Sequence, residues 1–351
     1  MALTLDDLEM IQERLKDPTK FAAAHALETA SASVWIASGL AKISAAYGAA
    51  LVEQHVGFPS KLTSAMDYCQ KPLLRALPVL VSLKGRHEDA VGVAQSIVNR
   101  SSPASVLITG EPEGPAAQTL RAGRLTPCIV SASFPARDRR FVNCGSIFML
   151  SALAYQLVRQ AFGSDLIGVV DEYDLAQAFS RAAEGTHAIA QGIAAVERWQ
   201  DKQLIILGQG LGSELTLPWQ SIFAEAGIAT ATCLDLKDYT HGDHAATVRA
   251  NNAIFLMIPH PGTEEMVRIF TERFVTRFPV LVAPLASSGP TRFWENLFYC
   301  CNTADALTHR LGYGGHRPPK DPTVHGWRGW GGGSGVAATS GILSGATLAS
   351  S

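Results

Sequence analysis

Gln203-Leu204-Ile205-Ile206-Leu207-Gly208-Gln209-Gly210, followed through Glu225 to Lys237-Asp238-Tyr239-Thr240-His241-Gly242, decides the reading of this chain. Leu204 to Leu207 is an apolar run short enough for a parallel strand covered on both faces, and Gly208-Gln209-Gly210 breaks it where a helix should begin. A strand that ends in a glycine turn ahead of a helix is phosphate-site geometry, because the helix N-terminus presents unpaired N–H groups. The same idea recurs near the N-terminus, where Val34-Trp35-Ile36-Ala37 runs into Ser38-Gly39-Leu40-Ala41 and an alanine-rich helical stretch. The chain reads as a tandem duplication.

Outward from these two anchors, strands and helices alternate. Residues 3–30 read as two helices broken by Asp17-Pro18. The first copy then reads as strand 33–38, helix 40–55, strands 60–66 and 78–83, helix 87–98, strand 104–109, helix 115–122, strand 127–132 and helix 145–161. A helical connector over 172–199 leads to the second copy: strand 203–207, helix 211–226, strands 228–234 and 252–258, helix 262–274, strand 279–284 and helix 291–311. Such alternation predicts an α/β fold with two flavodoxin-like, doubly wound parallel sheets of about five strands each. The expected division is N-terminal helices over 1–30, a first domain over 31–165, a second domain with its connector over 166–326, and a Gly/Ala/Ser-rich flexible tail over 327–351. A length of 351 residues agrees with two domains.

Composition excludes several classes of partner. A formal charge of -2 with scattered Lys and Arg gives no electrostatic footprint for nucleic acid or an anionic membrane. No apolar run approaches the roughly 20 residues that span a bilayer, and the acidic opening Leu5-Asp6-Asp7-Leu8-Glu9 is unlike a signal peptide. A cytoplasmic location is expected. The six cysteines, at 69, 128, 144, 233, 300 and 301, show no Cys-x-x-Cys spacing and read as buried structural thiols of a reducing compartment.

In an open α/β sheet, ligands sit beyond the carboxyl ends of the strands. Ser38-Gly39-Leu40-Ala41 and Ser82-Leu83-Lys84-Gly85-Arg86-His87 both follow strands, so Ser38, Gly39, Ser82, Lys84, Gly85, Arg86 and His87 are candidate anion ligands. The cations of the second loop predict a highly charged anionic ligand. Glu225, flanked by Phe223, Ala224, Ala226 and Ile228, reads as a poorly solvated acid suited to general-base work. His241 lies in a loop between Asp238 and Asp243, carboxylates that could fix its tautomer. Plainer readings stay open: ordinary tight turns, a surface acid, a solvated histidine. His241-Gly242-Asp243-His244 could be a metal fragment, but no third ligand is apparent. His260, in Pro259-His260-Pro261-Gly262 at the place equivalent to the Ser82 loop, could touch a ligand but reads chiefly as a loop residue, Cys300-Cys301 as helix packing, and Arg139-Arg140 as a solvated face. The aromatic and titratable segment from Lys320 to Trp327 could fold back onto a pocket, with Lys320 or His325 over it.

Taken together these residues resemble the SIS (sugar isomerase) family in its tandem, double-SIS form, over about residues 30–326. Gly208-Gln209-Gly210, Glu225 and Asp238-Tyr239-Thr240-His241-Gly242 match the second copy of the isomerase half of glucosamine-6-phosphate synthase in register, Asp238 standing for a signature glutamate. The fructosamine deglycases are similar. The resemblance implies a phosphosugar substrate, no cofactor and no metal, with Glu225 as the base between C1 and C2 of an open-chain sugar. It implies a homodimer too, His241 opening the sugar ring from the neighbouring subunit. Departures are equally specific. Leu40 and Ala41 lack the family's hydroxyls, Lys84 and His87 replace a serine and a threonine, and Ile222 stands where the synthase has a lysine. The expected activity is an aldose-ketose isomerase or an amino-sugar-phosphate deglycase or deaminase. The alternative is a non-catalytic sugar-phosphate-binding regulatory or partner protein.

Overall fold

The computed structural model describes residues 3–17, 19, 21–71, 75–100, 102, 104–123, 127–132, 144–209 and 213–313. Gly210, Arg139-Arg140, the segment from Lys320 to Trp327 and the expected tail lie outside the described residues.

Two parallel sheets with flanking helices form an α/β fold. In the first half, α1 (Leu5–Lys16) and α2 (Ala22–Glu28) precede β1 (Ser33–Ala37), α3 (Ala41–Leu51), β2 (Ser60–Ser64), α4 (Ala65–Gln70), β3 (Leu77–Val81), α5 (Glu88–Asn99), β4 (Val106–Thr109), α6 (Pro115–Arg121), β5 (Cys128–Ser131) and α7 (Cys144–Phe162). A short α8 (Ser164–Ile167) and the long α9 (Glu172–Ala194) connect to the second half. There follow β6 (Gln203–Gly208), α10 (Leu217–Glu225), β7 (Ala231–Asp235), α11 (Leu236–Asp238), α12 (His244–Ala250), β8 (Ala253–Met257), α13 (Glu264–Phe274), β9 (Val280–Val282) and α14 (Thr291–Arg310).

Among the described residues the first sheet has the order β2-β1-β3-β4-β5 and the second β7-β6-β8-β9, so the second repeats the order of the first with four strands where about five were expected. All pairings are parallel; β1 sits between β2 and β3 with Trp35 opposite Leu62 and Val79. The central strands β1, β3, β4 and β8 are buried at every residue, as a parallel strand with both faces covered must be. Their side chains alternate between two cores. Trp35, Val79, Ile206 and Leu256 face one large cluster shared by both halves with α3, α7, α10 and α14. Val34, Ile36, Leu80 and Leu107 pack outward with α5 and α6, and Ile205, Leu207, Phe255 and Met257 pack outward with α13. The helical layer between the sheets is aromatic: Tyr47 stacks on Phe293 with ring centroids 3.8 Å apart, and Trp219 donates its indole N–H to Asn296 Oδ1 at 2.8 Å.

Three boundaries differ from expectation for local reasons. α10 begins at Leu217, with Pro218 in its first turn, where the fixed φ of proline suits a helix start. It ends in a Schellman motif: Gly227 takes φ +62°, its N–H donates to Ala224 O, and Ile228 N–H donates to Phe223 O. Those bonds hold 227 and 228, so β7 starts only at Ala231. The expected loop around His241 is instead helical throughout: Asp235 caps α11 by accepting from the N–H groups of Lys237 and Asp238, and a π turn over Tyr239–Asp243 passes into α12. All six cysteines are free. Burial pushes the Cys233 thiol up to about 12 and that of Cys300 well above the usual range, which keeps both protonated and inert.

Candidate functional site

The order β2-β1-β3 means that the chain leaves β1 and β3 toward opposite sides, and the sheet opens between their carboxyl ends. A cleft of about 780 Å³ lies there. Its walls include Ser38 to Ala41 after β1 and Ser82 to His87 after β3, so the two loops singled out in the sequence meet at one place. Gly39 and Gly85 both take left-handed conformations, with φ of +58° and +57°. Only glycine does so without strain, and at Gly85 a Cβ would also come within 3.1 Å of Ala116 Cβ. Ser82 accepts the Gly85 N–H on its Oγ at 3.2 Å, which shapes the turn and leaves the hydroxyl proton to be donated outward.

Glu225 lines the same cleft, although it belongs to the other half of the chain. It stands at the last helical position of α10, two residues before the turn at Gly227, and is half-buried rather than enclosed by its apolar neighbours. Ser146, Ile147 and Leu150 of α7 add a third wall that no sequence motif signalled. Ser44 of α3 bonds Ser151 at 2.9 Å and the Ile147 carbonyl at 3.2 Å, tying α7 to the helix that follows the Ser38 loop.

Two of the three basic side chains of the second loop have protein partners. Arg86 Nε bonds Glu111 Oε2 at 2.8 Å. His87 caps α5, its Nδ1 accepting the Asp89 N–H at 3.3 Å, and Glu88 and Asp89 fill the first turn of that helix. These carboxylates already satisfy the positive end of the helix dipole. Arg86 pairs with Glu111, and Glu88 and Asp89 open the next helix, so the net positive charge beside the cleft is smaller than the loop sequence alone suggests. Lys84 is exposed at the rim of the cleft.

His241 is exposed on the π turn and does not line the cleft of its own chain; Asp238, expected beside it, stands at the start of that turn without a side-chain cap bond. Lys320 and His325 lie outside the described residues. His260, read chiefly as a loop residue with ligand contact as the alternative, lines a separate pocket between the halves with Glu214 and Arg292. No helix among the described residues is long and apolar enough to cross a membrane.

No family model matches the chain, and no curated protein matches it by sequence. Solved structures match it by fold. The crystal structure of glucosamine-6-phosphate deaminase from Thermotoga maritima superposes with a TM-score of 0.60 at 15% identity, covering 89% of this chain and 97% of that one. The C-terminal domain of glucosamine-fructose-6-phosphate aminotransferase from Francisella tularensis gives 0.66 at 12% identity, over 91% of this chain and 96% of that one. Tagatose-6-phosphate ketose/aldose isomerase from Escherichia coli gives 0.64 at 14% identity, over 91% and 92%. The chain shares the two-sheet α/β fold of these proteins along nearly its whole described length.

Proposed function

We propose that this chain is a double-SIS protein whose cleft at the ends of β1 and β3 binds a phosphorylated sugar and moves a proton within it, as an aldose-ketose isomerase or an amino-sugar-phosphate deglycase or deaminase. The observation that carries this reading is the meeting of Ser38, Ser82 and Glu225, a carboxylate from the other half of the chain, in one cleft. Two serine-glycine turns suit a phosphate, and a half-buried carboxylate opposite them suits a base. The likeness to the three sugar-phosphate proteins above supports the same class.

In this mechanism the turns at Gly39 and Gly85 and the hydroxyls of Ser38 and Ser82 hold the phosphate. Glu225 takes the proton from C2 of the open-chain aldose, and the electron pair of the broken C–H bond forms the double bond of a cis-enediol as the carbonyl oxygen gains a proton. Glu225 then returns its proton to C1 while the C2 hydroxyl loses its own. The redox change is internal to the sugar, so the step calls for no metal and no organic cofactor. His241 serves the cleft of a second copy in a homodimer, which fits its exposure away from its own cleft. Lys84 contacts the ligand at the rim, Arg86 and His87 shape the loop, and Lys320 or His325 closes over the sugar. The functional units are a first domain over 31–165 and a second over 166–326, and unpaired cysteines fit the reducing cytoplasm.

A non-catalytic sugar-phosphate binder is the second reading, favoured by Ile222, buried where the resemblance calls for a lysine, and by the missing hydroxyls at Leu40 and Ala41. Both readings require binding at the cleft. Thermal-shift screening of hexose and pentose phosphates, with calorimetry of each hit, should give saturable binding that Ser82→Ala weakens about tenfold, the loss of a hydrogen bond to a charged group. Binding that ignores Ser38→Ala and Ser82→Ala alike would remove the cleft from both readings.

A further inference from the structure

The second sheet opens between β6 and β8 as the first opens between β1 and β3, because its order reverses at the same point. A pocket of about 150 Å³ lies at this second opening, where Glu214, His260 and Arg292 meet Tyr47 and Ala50 of α3 and Gln54 of the π turn that follows it. The two sites stand at opposite ends of the same pair of helices. α3 starts at the cleft and ends at the pocket; α10 starts just after Glu214 and ends with Glu225 at the cleft; the two pack against each other.

Two side chains that line the pocket carry polar atoms that the described residues leave unused. His260 Nε2 and Arg292 Nε are both buried with no hydrogen-bond partner among the described residues, a costly arrangement unless something else bonds them. Neither group is loose. Arg292 donates through Nη1 to Ser287 O at 2.8 Å and through Nη2 to Pro259 O, so its Nε–H is held in place. The His260 backbone is pinned on both sides by Thr263 Oγ1, at 2.9 and 2.8 Å. Burial and then the nearby Arg292 bring the His260 pKa down to about 4, so at neutral pH it offers a hydrogen bond without charge. Burial pushes the Glu214 carboxyl up, and its Oε1 accepts from Gln54 Nε2 at 3.4 Å.

One fixed cation beside a neutral imidazole and an amide suits a ligand with one anionic group and hydroxyls. Cavities of about 150 Å³ hold a molecule the size of benzene, so a hexose phosphate is too large and a three-carbon acid fits. We propose that this pocket is a second ligand site, distinct from the cleft, that binds a small hydroxy-carboxylate of the size and chemistry of glycerate. Its carboxylate takes the Arg292 Nε–H, and its hydroxyls pair with His260 Nε2 and the Glu214 and Gln54 side chains. This site does not depend on the function proposed for the cleft.

The test is histidine side-chain nitrogen NMR and calorimetry on the full chain, titrated with D-glycerate and, for comparison, acetate. Glycerate should shift the His260 Nε2 resonance saturably, and acetate, lacking hydroxyls, should bind at least about tenfold more weakly. Ala50→Leu, which fills the pocket without touching its polar groups, should weaken glycerate at least about tenfold, whereas Ser82→Ala in the cleft should leave it unchanged. The proposal fails if His260 shows no saturable shift by about 10 mM glycerate, outside the range of ordinary specific metabolite binding. It also fails if acetate binds as well as glycerate, if Ala50→Leu binds normally while folded by circular dichroism, or if Ser82→Ala abolishes binding. Should Ala50→Leu not fold, the wild-type shift of His260 and the Ser82→Ala result still decide.

Discussion

Gly48 of α3 packs so closely on Trp35 of β1 that a single methyl group tests the arrangement. A Cβ built on Gly48 falls 2.3 Å from Cζ3, 2.4 Å from Cη2 and 2.8 Å from Cε3 of the Trp35 ring. Carbon atoms pack at about 3.5–4.0 Å, so the helix or the indole must move by about 1.2 Å or more. The indole has nowhere to go: Trp35 is fully buried, and its Nε1 donates to Ser33 Oγ at 3.2 Å, itself bonded to Ser60 Oγ at 2.9 Å. Overpacking typically costs about 1–3 kcal/mol, and three contacts this short put Gly48→Ala in the upper part, about 2–3 kcal/mol, against a helix-propensity gain of about 1 kcal/mol. The expected net effect of Gly48→Ala is a destabilisation of about 1–2 kcal/mol, opposite in sign to propensity alone. Trp35→Phe removes the ring atoms in question, so the double variant should be less destabilised than the sum of the singles by about 1 kcal/mol or more. Guanidinium unfolding followed by both fluorescence and circular dichroism measures all four corners of the cycle. A neutral or stabilising Gly48→Ala, or an additive double variant, would refute the reasoning.

Three further outcomes follow from particular groups. Glu295 is fully buried on α14 and accepts from Arg181 Nε at 2.6 Å and from the Ala286 and Ser287 N–H groups at 2.9 and 2.7 Å; Glu295→Ala should cost about 3–5 kcal/mol in chemical unfolding, and a cost below about 1 kcal/mol would contradict the network. The folded pKa of His260, about 4, lies below the unfolded value of 6.5, so the unfolded chain binds the extra proton between them. Stability tied to His260 is therefore full above about pH 6.5 and lost toward pH 4, and His260→Gln should flatten that slope by about 1–2 kcal/mol after allowance for solvent screening; an unchanged slope counts against the buried neutral imidazole. Mixed Glu225→Gln and His241→Asn chains should regain about a quarter of wild-type activity if clefts combine residues of two subunits, and no recovery despite demonstrated subunit exchange would confine each site to one chain.

The parts of the fold legible in the sequence were those fixed by short-range chemistry. Leu204 to Leu207 had to be a doubly covered strand, and the glycines at 39 and 85 marked turns that require left-handed backbone. The helical run from Leu236 to Ala250 was not legible, because its first turn depends on Asp235 as a cap and the polar Lys237-Asp238 pair looks equally natural in a loop. The start of β7 was misplaced because the bonds closing α10 reach into the residues after Gly227. At the cleft, the sequence indicated both loops and Glu225. It could not indicate that Glu111, 25 positions from Arg86, would take that cation, or that His87 would turn back to cap α5. The pocket of Glu214, His260 and Arg292 was invisible for the same reason: its parts are distant in the chain and meet only when the two halves pack.

Deuterium incorporation at C2 of a sugar phosphate, in deuterated water, tests the central claim most directly. Wild-type protein should exchange the C2 proton of any sugar phosphate that binds the cleft, while Glu225→Gln should bind that ligand with affinity within about threefold and lose exchange by at least about a hundredfold, the usual share of a general base. Exchange that persists in Glu225→Gln would contradict the assignment of Glu225 as the base, and a wild-type protein that binds the sugar phosphate without exchanging it would leave the cleft a binding site and the catalytic account wrong.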